Sequence, residues 1–245
     1  GYELRQTDTI ANMPIYSVVS LTPGVNGQLK NIIFASKYKP EIVLSDALNN
    51  DVTIVNNADQ CLVYDEPIGT HGITWKELQD WYDNGVYELD VGADMVAFMK
   101  NSLGDSPMER LFFDTYLEMI AGKEGKIPAL FPQVWLYYDP KLQKDRIKKI
   151  FEHQRMDFLM LFSESQRVVI EIDGVQHYAE YVEGNKKHYA SVDKYADMMA
   201  AQREMSLAGY DVYRFGAKEL YNPAIGKRKV CAFFDALFAK YGISV

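Results

Sequence analysis

Three carboxylates stand in two short apolar runs that each look like a β-strand. Asp157 lies in the run 155–158, and Glu171 and Asp173 lie in the run 168–174. Glu171 and Asp173 are two positions apart, so on a strand their side chains point to the same face. At about 5 Å and an effective dielectric of about 20, each like-charge pair would cost roughly 3 kcal/mol. A divalent cation reverses that sign, so the pattern predicts a Mg²⁺ or Mn²⁺ site with oxygen ligands on a β-hairpin.

The loop of this hairpin decides whether the carboxylates can meet. Directly opposite residues of an antiparallel pair share a face. With a two-residue loop at 164–165, Asp157 would face Ile172, and the carboxylates would lie on opposite faces of the sheet. The site therefore requires a shift of one residue. We predict an odd-length loop or a bulge between the two strands.

Length and composition limit the class of protein. The 245 residues, 48% of them hydrophobic, are enough for one large domain or for two smaller ones. No apolar run is long enough to span a membrane and no signal peptide is visible, so we expect no membrane partner. Cys61 and Cys231 form neither a disulfide framework nor a zinc pattern. Two isolated cysteines favour a reducing, cytoplasmic location.

The net charge of −8 argues against a nucleic-acid partner, which usually meets a basic surface. Local patches rather than the total charge decide such binding, however. Basic clusters occur at 141–149, 186–188 and 227–229. Each is either a solvated face or a phosphate-binding patch.

Residues 1–100 are expected to form a smaller N-terminal mixed α/β domain. Its predicted elements are strands at 15–21, 30–36, 52–55 and 61–64, a short helix from Pro40 to Leu48, and a helix that begins with the capping box at 74–77. Nothing in this part has a catalytic spacing, so we expect an accessory role.

Residues 101–245 are expected to form a second domain of the α/β class. After a linker at 101–105, Ser106 caps a helix that has Pro107 at its first position and Glu109 at its third. The elements follow in the order helix, three strands, helix, strand, helix: 107–121, 134–138, 155–162, 167–173, 191–208, 211–215 and a last amphipathic helix over 230–241. A basic loop or short helix is expected at 141–151 and a helical turn at 217–220.

This order, with acidic residues at these places, resembles the restriction-endonuclease-like core of the PD-(D/E)XK nucleases. The likeness is greatest to their very-short-patch-repair-like branch, single-domain nucleases of bacterial repair and defence. It rests on Glu109, Asp157, the run 171–177 and the run 207–215, in which a helix ends in Gly and a strand ends in Arg-Phe. It covers about residues 101–241 and does not extend to the first hundred residues.

The resemblance implies a metal-dependent endonuclease that hydrolyses phosphodiester bonds, in DNA rather than RNA. Asp157 and Glu171 would bind Mg²⁺ or Mn²⁺, and Glu109 would complete the site directly or through water. Gln176 and His177 would contact the scissile phosphate or the attacking water. The resemblance also suggests the effector of a bacterial defence system, with the N-terminal domain regulating it or assembling a homo-oligomer or a larger complex.

One position departs from the family pattern, which has a Lys two residues after the Glu. Here that position holds Asp173. Three explanations remain open: Lys194 reaches in from the next helix, Gln176 takes the position, or Asp173 binds a second metal. We favour Asp173 as an additional acidic residue of the site.

Structural interpretations compete with these roles. Glu109 is the residue that a capping box supplies, Asp173 can open a turn, and His177 can lie on a surface loop. Asp157 within an apolar strand needs a partner such as Arg155 if no metal binds. Arg214 is expected to form a salt bridge or a phosphate contact.

Two other functions remain open. The missing Lys favours a nuclease-like module that binds nucleic acid without cutting it. The acidic net charge favours a metal-dependent phosphoesterase that acts on small substrates, although the sequence has no glycine-rich phosphate loop.

Overall fold

The structure, a computed structural model, is a mixed α/β fold. It describes residues 2–10, 13–20, 32–46, 51–66, 68–85, 94–135, 155–163, 165–183 and 187–244. Its helices within these ranges are all too short or too polar to cross a membrane. The basic clusters at 141–149 and, in part, 186–188 lie outside the described residues, as does the whole of the loop or short helix predicted at 141–151.

A six-stranded sheet forms the centre of the fold. Its strands lie side by side in the order β12 (Tyr210–Gly216), β9 (Arg167–Asp173), β8 (Arg155–Leu161), β7 (Leu130–Trp135), β3 (Ile32–Phe34) and β6 (Leu62–Tyr64). The β12–β9 pair is parallel, and the other neighbours are antiparallel.

Three two-stranded sheets accompany the central one. They are β1 (Tyr2–Ile10) with β2 (Met13–Ser20), β4 (Glu41–Asp46) with β5 (Asp51–Asn56), and β10 (Ala179–Val182) with β11 (Lys187–Ala190). The β10–β11 hairpin was not expected from the sequence, because its exposed, polar residues lack the alternation of a half-buried strand.

Five α-helices lie within the described ranges: α1 (Trp75–Asn84), α2 (Met95–Ser102), α3 (Pro107–Ile120), α4 (Val192–Leu207) and α5 (Pro223–Lys240). The capping box of Thr74 and Glu77 is confirmed, because each side chain accepts from the other residue's backbone N–H. The Ser106 cap of α3 is also confirmed. Side-chain caps of this kind satisfy the N–H groups of a first turn that has no helical partners.

Aromatic side chains join α3 and α5 to one face of the sheet. Phe112 of α3 lies 5.2 Å between ring centroids from both Phe158 of β8 and Phe234 of α5, and 5.3 Å from Phe215 of β12. Successive side chains of a strand alternate between faces, so Arg214 points away from this layer. Glu171 is opposite Arg214 in the β12–β9 register and shares its face.

Two predictions about the first part of the chain are wrong. Residues 41–46 form a strand, not the helix expected from Pro40 to Leu48, because the β-branched Ile42 and Val43 pair with β5. The linker expected at 101–105 begins inside a helix, since α2 continues to Ser102.

Strands from both sides of residue 100 belong to the central sheet. Strand β3 pairs with β6 on one edge and with β7 on the other. Phe34 of β3 also packs edge-on against Phe131 of β7, with 5.0 Å between ring centroids. The division into residues 1–100 and 101–245 stays a prediction, but the two parts share one buried core.

Candidate functional site

The β8–β9 hairpin has the odd-length loop that the carboxylates require. Phe158 pairs with Ile170, Leu161 pairs with Arg167, and the Phe162 N–H donates to the Gln166 carbonyl at 3.0 Å. Three positions, an odd number, separate Phe162 from Gln166, so the prediction of an odd-length connection is confirmed. One residue beyond the Phe158–Ile170 pair, the same register brings Asp157 level with Glu171.

The side chain of Asp157 makes the hydrogen bond that ends the ladder between strands β8 and β9. Its Oδ2 accepts the Ile172 backbone N–H at 2.7 Å, in the role that a backbone carbonyl has in a regular ladder. Burial raises the pKa of Asp157, and the Ile172 hydrogen bond acts in the opposite direction. The carboxylate is thus held at the open end of the hairpin.

Glu171 is buried beside Asp157 without a full set of hydrogen bonds. Its exposure is 6%, and Oε1 has no hydrogen-bond partner among the described residues. Burial, and then the charge of Asp157, raises the pKa of Glu171 well above its usual value, while Arg214 opposes the rise. A buried carboxylate in this state is costly unless it is protonated or meets a cation.

Two arginines bring positive charge to these carboxylates: Arg155 acts on Asp157 and Glu109, and Arg214 binds Asp173. The Nε and Nη2 of Arg214 donate to the two carboxylate oxygens of Asp173 at 2.7 and 2.5 Å. Its Nη1 is buried and has no hydrogen-bond partner among the residues described. Arg214 thus forms the salt bridge expected from the sequence, and Asp173, 8% exposed, uses both oxygens to hold it.

Glu109 reaches the site from the first turn of α3. Its Oε2 accepts the Gln133 Nε2–H at 2.6 Å. Burial, and then the charge of Asp157, raises the pKa of Glu109 to about 7. Gln133 was missed by the sequence analysis. The signal available was a lone amide within the otherwise apolar run Leu130–Trp135.

Gln176 and His177 form a helical turn directly after β9. Gln176 and Glu109 line the same cavity of about 200 Å³. His177 Nδ1 lies 3.8 Å from Asp173 Oδ1. Burial lowers the pKa of His177 although the charge of Asp173 acts in the opposite direction, so the surroundings favour the neutral imidazole.

Lys194 at the start of α4 holds this turn rather than the acidic group. Its Nζ donates to the carbonyl oxygens of Gln176 at 3.1 Å and Ala179 at 2.8 Å. Two of the three ammonium donors are therefore committed to the backbone.

A cation site needs several ligating side chains close together. Among the residues that the structure describes, no three His, Cys, Asp or Glu side chains lie close enough together to form a ready-made metal site. Asp157 nevertheless raises the pKa of both Glu109 and Glu171 by its charge. The Glu171 Oε1 without a partner and the all-oxygen donor set fit a hard cation such as Mg²⁺ or Mn²⁺.

The basic cluster at 227–229 does not form a free cationic patch. On α5, Lys227 pairs with Glu118 of α3, and Lys229 Nζ lies 2.9 Å from Glu219. Such exposed pairs contribute about 0–1 kcal/mol each to stability. They do lower the positive charge that this face can present to phosphates.

A scan of the sequence against models of protein families found no match, and neither did the searches of curated proteins and of solved structures.

Proposed function

We propose that the chain is a metal-dependent endonuclease that hydrolyses phosphodiester bonds, with DNA a better substrate than RNA. The observation that carries this proposal is the pair of carboxylates on neighbouring strands. Asp157 and Glu171 are held side by side, and Glu171 keeps a buried oxygen that has no hydrogen-bond partner among the residues the structure describes. Two such groups repel each other until a cation joins them.

The order of elements supports a restriction-endonuclease-like core. Helix α3, strands β7 to β9, helix α4, strand β12 and helix α5 follow one another along the chain, with the β10–β11 hairpin added before α4. This order and the acidic positions resemble the PD-(D/E)XK nucleases.

Asp157 and Glu171 would hold Mg²⁺ or Mn²⁺, with Glu109 completing the site. When bound, the cation neutralises charge at the phosphate and makes water a better nucleophile. Glu109, with a pKa of about 7, can hold or release a proton near neutral pH. Burial favours the neutral form of His177, which turns Nδ1 toward Asp173, so we assign proton transfer to its Nε2.

In the family pattern a Lys supplies the positive charge of the site. We assign this role to Arg214. Its guanidinium is opposite Glu171 in register, is fixed by Asp173, and keeps Nη1 without a partner among the described residues. A fixed cation beside the reacting phosphate stabilises the charge that develops there. In this account Asp173 orients Arg214 instead of binding a second metal, and Gln176 contacts the phosphate from the cavity that it shares with Glu109.

Cleavage of supercoiled plasmid tests the proposal. We expect nicking with Mg²⁺ or Mn²⁺, none with EDTA, and a loss of about 100-fold or more in both Asp157→Asn and Glu171→Gln. Asp197→Asn, on an exposed part of α4, is the matched control and should cut like wild type. Cleavage that persists in both site variants would contradict the assignment.

A second candidate function is a module that binds nucleic acid without cutting it. The lack of a ready-made group of three metal-ligating side chains among the described residues favours it. Such a protein would shift labelled DNA in a gel equally with Mg²⁺ and with EDTA and leave it intact. Hydrolysis of a small phosphodiester with intact DNA would instead indicate a phosphoesterase.

The same proposal includes a role in bacterial defence, with assembly through residues 1–100 into a homo-oligomer or a larger complex. Cys61 and Cys231 are both free thiols, which fits a cytoplasmic location. Light scattering of the full chain, with and without DNA, measures the molecular mass, which rises if the chains assemble.

A further inference from the structure

Gln133 has a backbone conformation that a strand residue rarely adopts. Its φ is +50°, in the left-handed region, although it lies inside β7. A non-glycine residue in this region costs on the order of 1 kcal/mol, and such residues concentrate at functional sites. The segment directly after β3 shows the same feature, because Ala35 has φ +51°.

The backbone around Gln133 is held in place by that neighbouring segment. The Ala35 N–H donates to the Pro132 carbonyl at 2.8 Å, and the Ser36 N–H reaches the Gln133 carbonyl at 3.5 Å. Ala35 and Ser36 are themselves almost completely buried. The irregular backbone of β7 is thus held from the β3 side.

The side chain of Gln133 is buried and only half satisfied. Its exposure is 2%. In the structure the amide presents Nε2 to Glu109 and donates to its Oε2 at 2.6 Å. This leaves Oε1 buried with no hydrogen-bond partner in the described part of the chain. Buried acceptors without a hydrogen-bond partner are rare in native proteins.

The register places this amide beside the acidic group. Pro132 pairs with Phe158 and Val134 pairs with Met156, which leaves Gln133 opposite Asp157. Asp157 in turn is level with Glu171 on the next strand. Three neighbouring strands therefore bring an amide and two carboxylates to one level of the sheet.

We propose, on the basis of the proposed function, that Gln133 is an oxygen ligand of the divalent cation, through Oε1, and that it holds Glu109 in place through Nε2. Amide carbonyls are ordinary ligands of hard cations. A neutral ligand adds an oxygen without adding to the repulsion between Asp157 and Glu171.

Calorimetric titration of the full chain with Mn²⁺ alone tests this assignment without DNA. We expect Gln133→Gly to bind Mn²⁺ about 10- to 100-fold more weakly than wild type. Glycine accepts φ near +50°, so this variant keeps the backbone of β7. Gln133→Leu, which keeps the volume of the side chain, should show the same loss. Gln166→Leu, at an exposed position just before β9, should show none.

A double variant separates a ligand from a residue that acts only through Glu109. If Gln133 binds the cation, Gln133→Gly weakens Mn²⁺ binding about 10-fold even when Glu109 is already Gln. No further weakening in that background, or wild-type affinity in Gln133→Gly, would overturn the assignment while the nuclease proposal stands. A wild-type chain that binds no Mn²⁺ overturns both.

Discussion

Arg214 and Asp173 are joined by two hydrogen bonds across the parallel strands β12 and β9, at 2.7 and 2.5 Å. The pair is almost buried, and Arg214 stands opposite Glu171 in the register of the same two strands. This ion pair therefore holds the positive charge of Arg214 next to carboxylates that repel one another.

Removal of Arg214 is expected to unbalance this group. We predict that Arg214→Met lowers the free energy of unfolding by about 3 kcal/mol, because Asp173 then remains buried without its guanidinium partner. Urea unfolding measures this change. Replacing Asp173 by Asn in the same chain should recover part of the loss, since no unpaired charge is left. Arg203→Met, on the exposed side of α4, should change stability by less than about 0.5 kcal/mol.

Glu109 makes the metal-free protein less stable as the pH rises. Its carboxyl binds a proton more tightly in the folded protein, with a pKa of about 7, than in the unfolded chain, near 4.5. Raising the pH through this window therefore deprotonates the unfolded chain first and lowers the free energy of unfolding, by about 2–3 kcal/mol in total. Thermal unfolding in EDTA between pH 4.5 and 7.5 measures the slope.

The variant Glu109→Gln removes this titrating group and keeps the size of the side chain. We expect its stability to vary less with pH over that window than the stability of wild type. An identical pH dependence in the two proteins would show that Glu109 does not titrate as described.

Lys194 is expected to affect cleavage through the turn that carries Gln176 and His177. Lys194→Met removes the donors to the Gln176 and Ala179 carbonyls. We predict a stability loss of about 1 kcal/mol and a rise in KM for DNA larger than the fall in kcat, because the turn loses its position and the metal ligands do not. Lys218→Met, at another exposed lysine, serves as the control. A fall in kcat alone would assign Lys194 to the chemical step.

Gly72 tests the packing of the first hundred residues against the hairpin. Its φ is +77°, and an added Cβ would collide with the Leu161 backbone at the end of β8. We predict that Gly72→Ala lowers the free energy of unfolding by about 3 kcal/mol or more. Gly122 has a similar φ of +78° but open space around it, so Gly122→Ala should cost only about 1 kcal/mol. Equal costs at the two positions would contradict this packing.

Local chemistry made much of the second half of the fold predictable. Ser106 and Pro107 mark the start of α3 because the signals of a helix N-terminus are short-range. The hairpin loop followed from the requirement that two carboxylates share a face. The strand at 41–46 was mistaken for a helix because its pairing with β5 lies outside a local window.

The parts of the site that depend on distant contacts were not predictable. Gln133 meets Glu109 across 24 positions, and its left-handed φ depends on the Ala35 segment almost a hundred residues earlier. No period of hydrophobic residues encodes either contact. Arg214 was recognisable as a salt-bridge residue, but its partner Asp173 lies 41 positions away.

Proton release on metal binding tests the central claim most directly. Burial raises the pKa of Glu109 to about 7 and that of Glu171 well above its usual value, so Mn²⁺ must displace protons when it binds at about pH 6. We would titrate wild type and Glu171→Gln with Mn²⁺ by calorimetry in two buffers of different ionisation enthalpy. The account predicts binding with proton release in wild type and at least about 10-fold weaker binding, with fewer protons released, in Glu171→Gln. Equal affinity in the two proteins, or binding that releases no protons, would contradict it.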